Sequence, residues 1–504
     1  MSDRMMGSLR GDLQERWVDS RETLIGHITG LTLAVAGAGI GASGVVDAMR
    51  GGDDVWVMLL IGAVVGLVGY VVWRGTTLPR QIRILDVFVT VTMAWVVLTV
   101  VGALPYLATG SITAVDDALF ESISGFTTTG ATVLRPIEGT GPGILFWRSI
   151  TQWMGGMGVI VLVVAVLPTV GSGGMSLLEA EAPGPTGERL TPRVRQTARR
   201  LWAVYIGFTI VLALAYIAAG MNLYDGVAHS FTTVSTGGFS PYNGSLGHFD
   251  SAAIEWICIV AMFAAGTSFT LIYRLLRGSP GPLVRSKEFH LYVLVVVAVS
   301  GLLFAISEMS GSIHDRVRGS IFTTLTVVST TGYATEDFGS WSDAGQAVIL
   351  LLLPIGAMAG STAGGIKLIR VLAVASYAHR EALRHLHPRL VRPVRVGGGI
   401  MPDRTANKIV GFLILALAIF GGGAMAIAMT GPDLITAFSA AATAIGNVGP
   451  GLGDVGPTND FLELPRFARW VTMVQMLLGR LEIYPVILAL SVVTLRRRHR
   501  DLTV

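Results

Sequence analysis

The sequence predicts an all-α integral membrane protein: four helix–half-helix–helix repeats around a pseudo-fourfold pore, preceded by two extra transmembrane helices, about ten spans in all. Three observations predict it. Of 504 residues, 14% are charged and 52% hydrophobic, whereas a soluble domain carries about 25% charged residues. Ten apolar stretches reach the roughly 20 residues that a helix needs to cross hydrocarbon. Four shorter apolar pieces cannot cross, and each runs into a similar string of serine, threonine and glycine.

Two spans come first, near 24–44 and 54–73. The first closes on Gly39, Gly41 and Gly44, a literal GxGxxG. A dinucleotide site needs that motif between a strand and a helix. Inside an apolar span it reads as close helix packing through small residues. The other eight lie near 84–108, 143–169, 199–220, 251–276, 289–308, 343–376, 408–430 and 466–494. They form four pairs. Between the members of each pair lie the short pieces, near 114–126, 223–234, 313–328 and 432–445, with the length of re-entrant half-helices. The expected boundaries are 1–80 for the two N-terminal helices, 81–185, 186–280 and 281–395 for the first three repeats, and 396–504 for the fourth with its basic tail.

Basic residues set the orientation. With the N-terminus inside, the inner segments carry Arg4, Arg10, Arg16 and Arg21, then Arg74, Arg80 and Arg83, the runs 189–200, 274–287 and 380–408, and the tail RRRHR at 496–500. The outer segments carry Arg50, Arg135, Arg316, Arg318, Arg466 and Arg469. Both termini are therefore expected in the cytoplasm, and the half-helices enter from outside. The start of the chain, polar and mixed in charge, lacks the pattern of a cleavable signal peptide. The single cysteine, Cys258, cannot form an internal disulfide. The polar inner segments 170–198 and 377–407 are long enough to set topology or to dock a cytoplasmic partner.

The four strings read SGFTTTGATV (124–133), FTTVSTGGFSP (231–241), VVSTTGYATEDF (327–338) and AIGNVGPGLG (444–453). Alignment on Gly130, Gly237, Gly332 and Gly449 places Thr128–Thr129, Ser235–Thr236, Thr330–Thr331 and Asn447–Val448 before the glycines. The spacing of about 100 residues marks an internal repeat. Non-helical backbone at membrane depth persists only where protein buries it or where it lines a water-filled path. Glycine lets carbonyls turn toward a common axis, and stacked carbonyl rings replace the hydration shell of potassium. Half-helices entering from outside point their carbonyl ends at the membrane centre, which favours a cation.

The stretch 348–372, VILLLLPIGAMAGSTAGGIKLIRVL, is interrupted by Gly356, Gly360, Ser361, Thr362, Gly364 and Gly365. Glycines weaken a helix at mid-span, and broken helices line ion paths. GSTAGGIK is not a phosphate loop, because Ile366 separates Gly365 from Lys367 and no hydroxyl residue follows the lysine. Lys367 is a cation near the bilayer centre, where insertion costs about 2.5–3.5 kcal/mol unless it snorkels. Arg480, near the middle of the last span, is expected to project into the pore below the strings, with Glu482 on another face of the same helix. Arg148 sits near an outer end, where snorkelling accounts for it. No single buried carboxylate stands out as a proton carrier.

With TTTGAT, TVSTGGFSP, STTGYATEDF and GNVGPGLG in four repeats, the chain from about 80 to 495 resembles the Trk/Ktr/HKT superfamily of potassium transporters. The two extra spans and the GNVGPGLG string look like the Trk membrane subunit. The resemblance implies potassium as the transported ion, since glycine at all four filter positions goes with potassium and serine at the first with sodium. It implies an obstructing intramembrane loop at 360–367, an arginine gate at Arg480 in GRLE, a homodimer in the lipid of the cytoplasmic membrane, and a cytoplasmic regulatory ring that binds NAD and ATP. Asn447 and Val448 depart from the hydroxyl pattern. Two alternatives stay open, a potassium-binding subunit of a P-type ATPase and a sodium-permeable relative. No enzymatic constellation, organic cofactor site or nucleic-acid patch is read in the chain.

Overall fold

The computed structural model describes residues 2–77, 84–166, 190–307, 309–387, 389, 393–396 and 399–491. Arg80 and Arg83, most of the polar segment 170–198 and the RRRHR tail lie outside the described residues. The chain divides into two compact units. One comprises Met1–Thr113, Gly141–Trp147 and Leu481–Val504; the other comprises Ala114–Thr140 and Arg148–Arg480.

The first unit is built on α1 (Ser2–Met49), α2 (Val55–Gly75) and α3 (Ile84–Ala108). Helices α1 and α2 pack through small residues. A Cβ on Gly37 would lie 2.3 Å from the Gly66 nitrogen, and one on Gly62 would lie 2.6 Å from that of Gly41. The literal GxGxxG is thus a packing face, which brings backbones together where hydrocarbon offers no hydrophobic drive between helices. His27 closes the open end of this pair. Its Nε2 accepts from Trp73 Nε1 at 3.1 Å, and its Nδ1 lies 3.0 Å from the Thr76 carbonyl. Buried Asp47 accepts from the Gly143 amide at 2.8 Å and from that of Asp54 at 2.9 Å.

The second unit carries the half-helices α4 (Val115–Phe126), α7 (Leu223–Val234), α12 (Ile313–Val328) and α16 (Leu434–Gly446). Each matches an expected short piece to within about two residues, the tolerance of any boundary. Their N-termini are acidic, which suits the positive end of the helix dipole. Asn222 caps α7, Ser312 and Asp315 form a capping box on α12, and Asp433 caps α16. Helix α4 has no side-chain cap; instead Asp116 takes two hydrogen bonds from Arg466, 2.6 and 2.7 Å long. Asp315 is held below the usual carboxylate range, first by the Ser312 hydroxyl.

The remaining helices are α5 (Pro142–Val166), α6 (Leu190–Ala218), α8 (Ala252–Ala265) with α9 (Phe269–Leu276), α10 (Gly281–Val284), α11 (Lys287–Ile306), α13 (Asp343–Leu352), α14 (Leu368–Leu386), α15 (Asp403–Ala428) and α17 (Arg466–Arg480). Six helices are long and apolar enough to cross a membrane, or eight with each bent pair counted as one span, among the described residues. The expected span 251–276 is such a pair, bent by 105° between α8 and α9. The stretch near 343–376 is not continuous either. Helices α13 and α14 are separated by a turn in which β1 (Ile355–Gly356) pairs in parallel with β2 (Ile366–Lys367). The polar segment 377–407 holds a hairpin, β3 (Val394–Val396) with β4 (Gly399–Met401). Val394, Val396 and Met401 bury there against Ala373 and Ala406. The main core of this unit lies around Tyr205, Tyr216, Tyr292, Phe322 and Tyr333, all fully buried.

The last span departs from expectation. Helix α17 stops at Arg480, Glu482 and Ile483 take positive φ of 58° and 63°, and the chain resumes as the helix Tyr484–Ser491. Arg480 and Glu482 therefore do not share a helix, and which face Glu482 takes is decided by the break.

Candidate functional site

Each half-helix ends in the same way. Thr128, Thr236, Thr330 and Asn447 all take left-handed backbone, with φ between 53° and 58°. The next amide bonds back into the last helical turn: Thr129 to Ser124, Gly237 to Thr232, Thr331 to Thr326 and Val448 to Thr443. Then comes a glycine of positive φ: Gly130 (83°), Gly238 (77°), Gly332 (77°) and Gly449 (112°). This corrects the alignment of the second string by one residue. The counterpart of Gly130 is Gly238, and Gly237 is the counterpart of Thr129, Thr331 and Val448. Ser235 then matches Thr127 and Ser329.

The four strings close a ring. A Cβ on Gly130 would lie 2.2 Å from the Gly237 carbonyl oxygen. On Gly238 it would lie 1.9 Å from Thr331 O, on Gly332 1.9 Å from Val448 O, and on Gly449 2.7 Å from Thr129 O. Each glycine thus sits on the carbonyl that precedes the glycine of the next string, and the fourth returns to the first. Only a residue without Cβ permits that approach. Left-handed backbone costs a β-branched residue about 1–3 kcal/mol, a strain that persists only where the surroundings impose it. Three threonines bear it here. The fourth position, where the sequence departs from the pattern, holds Asn447, a residue that enters this region more easily. Its Nδ2 donates to Thr129 Oγ1 at 3.0 Å and to the Met476 carbonyl at 2.9 Å. The same position carries oxygens with no protein partner, Thr128 Oγ1 and Asn447 Oδ1.

On the far side of the glycines a cavity of about 390 Å³ is lined by residues of all four strings, among them Ala131, Phe239, Ala334 and Pro450. Arg148 also lines it, and it does not snorkel. It is 1% exposed and pairs at 2.7 Å with Glu121, which is 0% exposed. Its other nitrogens reach Ser240 O at 2.9 Å and Thr132 Oγ1 at 3.1 Å, and the guanidinium lies over Phe239. Glu121 further accepts from the Val133 amide at 2.9 Å. The buried Glu121 carboxylate is thus the partner of the arginine that the sequence assigns to the surface. Two oppositely charged residues 27 positions apart gave no local signal of pairing.

Beneath the ring, on the C-terminal side of the half-helices, lies the interruption between α13 and α14. Gly360 and Gly365 take positive φ, 76° and 65°. Thr362 Oγ1 donates to Val234 O at the end of α7 at 3.0 Å. The Gly364 amide donates to Thr330 Oγ1 at 2.7 Å, and its Cβ position lies 2.5 Å from Gly446 O at the end of α16. Ser361 bonds to Met358 O at 2.6 Å. Lys367 is buried, and its Nζ donates to Ala363 O in the same loop, so it too stays inside. Arg480, 3% exposed, donates to Thr362 O at 3.0 Å and to Gly155 O at 3.2 Å. Its Nε has no hydrogen-bond partner, and no carboxylate pairs with it among the described residues. Gly155 itself abuts Phe126 O at the end of α4, 1.9 Å from its Cβ position. The loop thus touches the closing turns of α7 and α16 and the third string directly, and the guanidinium reaches the end of α4 through Gly155.

The profile of the TrkH family, described as cation transport protein, matches residues 57–306 and 290–495. A Trk system potassium uptake protein TrkH of Vibrio parahaemolyticus is 38% identical over 424 residues, 82% of this chain and 86% of that protein. One from Halomonas elongata is 36% identical over 448 residues, 86% and 91% of the two chains. The crystal structure of the potassium transporter TrkH from Vibrio parahaemolyticus superposes with a TM-score of 0.84 at 34% identity, covering 92% of this chain and 97% of that one.

Proposed function

From the premise that the chain belongs to the TrkH family of cation transport proteins, we propose that it takes up potassium across the cytoplasmic membrane through the ring of Thr129, Gly237, Thr331 and Val448 carbonyls. The observation that carries this reading is the cyclic contact of each string's glycine with the carbonyl of the next. A closed ring of peptide oxygens supplies what a dehydrating alkali cation loses. The four half-helix C-termini add partial negative charge on the axis. The oxygens of Thr128, Thr236, Thr330 and Asn447 form a second layer below the glycines. The transported ion is the chain's one cofactor-like ligand in this reading, and no catalytic step is assigned.

The gate is the segment Gly360 to Lys367 with Arg480. A guanidinium on the exit path repels a dehydrated cation in low dielectric, where a unit charge acts over several ångströms. Two supports favour it: the loop bonds to Val234 and Thr330, and Arg480 is hydrogen-bonded to that loop without a counter-charge. Opening requires the Thr362–Arg480 contact to break. In the assembled system a homodimer of this chain, in membrane lipid with both termini cytoplasmic, is regulated by a cytoplasmic nucleotide-binding ring.

The test is potassium flux into liposomes holding the purified protein, measured with and without a proton gradient. Uptake of potassium in preference to sodium supports the reading. Protein that is folded and inserted but moves neither ion, or moves both equally, refutes it.

A further inference from the structure

We propose that Gln152 is a positioning residue for potassium selectivity, and that its amide takes the place of the β-branched side chain that the second string lacks. The proposal rests on the filter reading above and adds a residue outside the strings.

At the ring position the other strings carry Thr129, Thr331 and Val448, all buried and all β-branched. Such side chains hold an extended backbone stiff. In the first and third strings the hydroxyl also ties down the chain. Thr129 Oγ1 lies 2.7 Å from Thr127 Oγ1, and Thr331 Oγ1 lies 2.7 Å from Ser329 Oγ. The second string has Gly237 instead. Its Ser235 finds no such partner and bonds back to Thr232 O at 3.2 Å.

Gln152, fully buried on α5, fills the vacant place. A Cβ on Gly237 would meet Gln152 Cδ at 2.4 Å, Oε1 at 2.5 Å and Nε2 at 2.8 Å, its three nearest atoms. Nε2 donates to the Gly237 carbonyl at 2.7 Å, and Oε1 accepts from the Phe239 amide at 3.0 Å. One side chain thus fixes the string on both sides of Gly238. Among the described residues Gly237 O is the ring carbonyl that receives a side-chain hydrogen bond; no such bond reaches Thr129 O, Thr331 O or Val448 O. Arg148, one turn earlier on the same face, holds Ser240 O. Helix α5 of the first repeat therefore braces the second string along its length. Gly237 has no left-handed φ, so an ordinary residue fits its backbone once the amide is gone.

The experiment compares potassium and sodium flux in liposomes for the wild type, Gln152→Ala, Gly237→Thr and the double variant. A hydrogen bond of ordinary strength corresponds to a change of about fivefold. Gln152→Ala is expected to lower the potassium-to-sodium ratio by about that factor or more. Gly237→Thr alone, which collides with the amide, is expected to lower it too. The double variant is expected to recover to within about twofold of the wild type, a rescue that general loosening of the fold does not produce. Gln152→Leu keeps the volume without the donor and is read in the same way if the alanine variant does not insert. A selective wild type with an equally selective Gln152→Ala, or a double variant no better than Gln152→Ala, overturns this inference and leaves the filter reading standing. A wild type without potassium preference overturns both.

Discussion

Replacing Gly238 by alanine puts a methyl carbon 1.9 Å from the Thr331 carbonyl oxygen, on backbone with φ of 77°. Contacts of a Cβ below 3.0 Å essentially do not occur, so the two strings must part by about 1 Å. Nothing flexible can absorb this, because the atom opposite is backbone and the string around it is buried. Left-handed alanine adds about 1–2 kcal/mol of strain. A ring opened by that distance no longer matches the ion that the wild type selects. The potassium-to-sodium flux ratio in liposomes is expected to fall about tenfold, equivalent to roughly 1.4 kcal/mol. The choice of Gly238 rather than Gly237 is the point of the test. A residue-by-residue alignment of the strings assigns the filter glycine to Gly237, whereas the φ pattern and the ring contacts assign it to Gly238. A Gly238→Ala protein that inserts normally and keeps its ratio within about twofold refutes the ring register.

Gly130→Ser places its Cβ 2.2 Å from Gly237 O; sodium permeation relative to potassium should rise in the same flux assay, and an unchanged ratio counts against the ring. Arg480→Ala removes the hydrogen bonds to Thr362 and Gly155. Basal potassium flux should rise about tenfold, as a barrier lowered by roughly 1.4 kcal/mol would give; equal or lower flux removes the electrostatic gate. Arg148→Met leaves Glu121 buried without its counter-charge. The loss should be about 3–5 kcal/mol, read as a lowered unfolding midpoint of the detergent-solubilised protein, and a midpoint unchanged by the substitution would mean the pair is not holding the strings.

The membrane architecture was legible because hydrocarbon imposes lengths. Apolar pieces of 12 to 16 residues cannot span, so the stretches near 114–126, 223–234, 313–328 and 432–445 announced themselves as half-helices. The Ser/Thr/Gly strings were legible for a related reason, since such backbone at membrane depth needs a protein-lined path. Finer features were not. The string STGG offers two adjacent glycines, and composition cannot say which one turns. The end of α17 at Arg480 follows a lone glycine that many continuous helices tolerate. The position of Arg148 near a span end suited a snorkelling side chain as well as a buried one.

By itself, then, the sequence determined the class of protein, the four half-helices and the Ser/Thr/Gly strings that follow them, because these depend on the length and polarity of local segments. Tertiary structure alone decided the register of the second string, the Glu121–Arg148 pair, the bracing by Gln152 and the placement of Arg480 against Thr362. Each of those is a contact between residues distant in the chain, and its energy is set by which atoms meet within about 3 Å, a quantity that no local pattern carries.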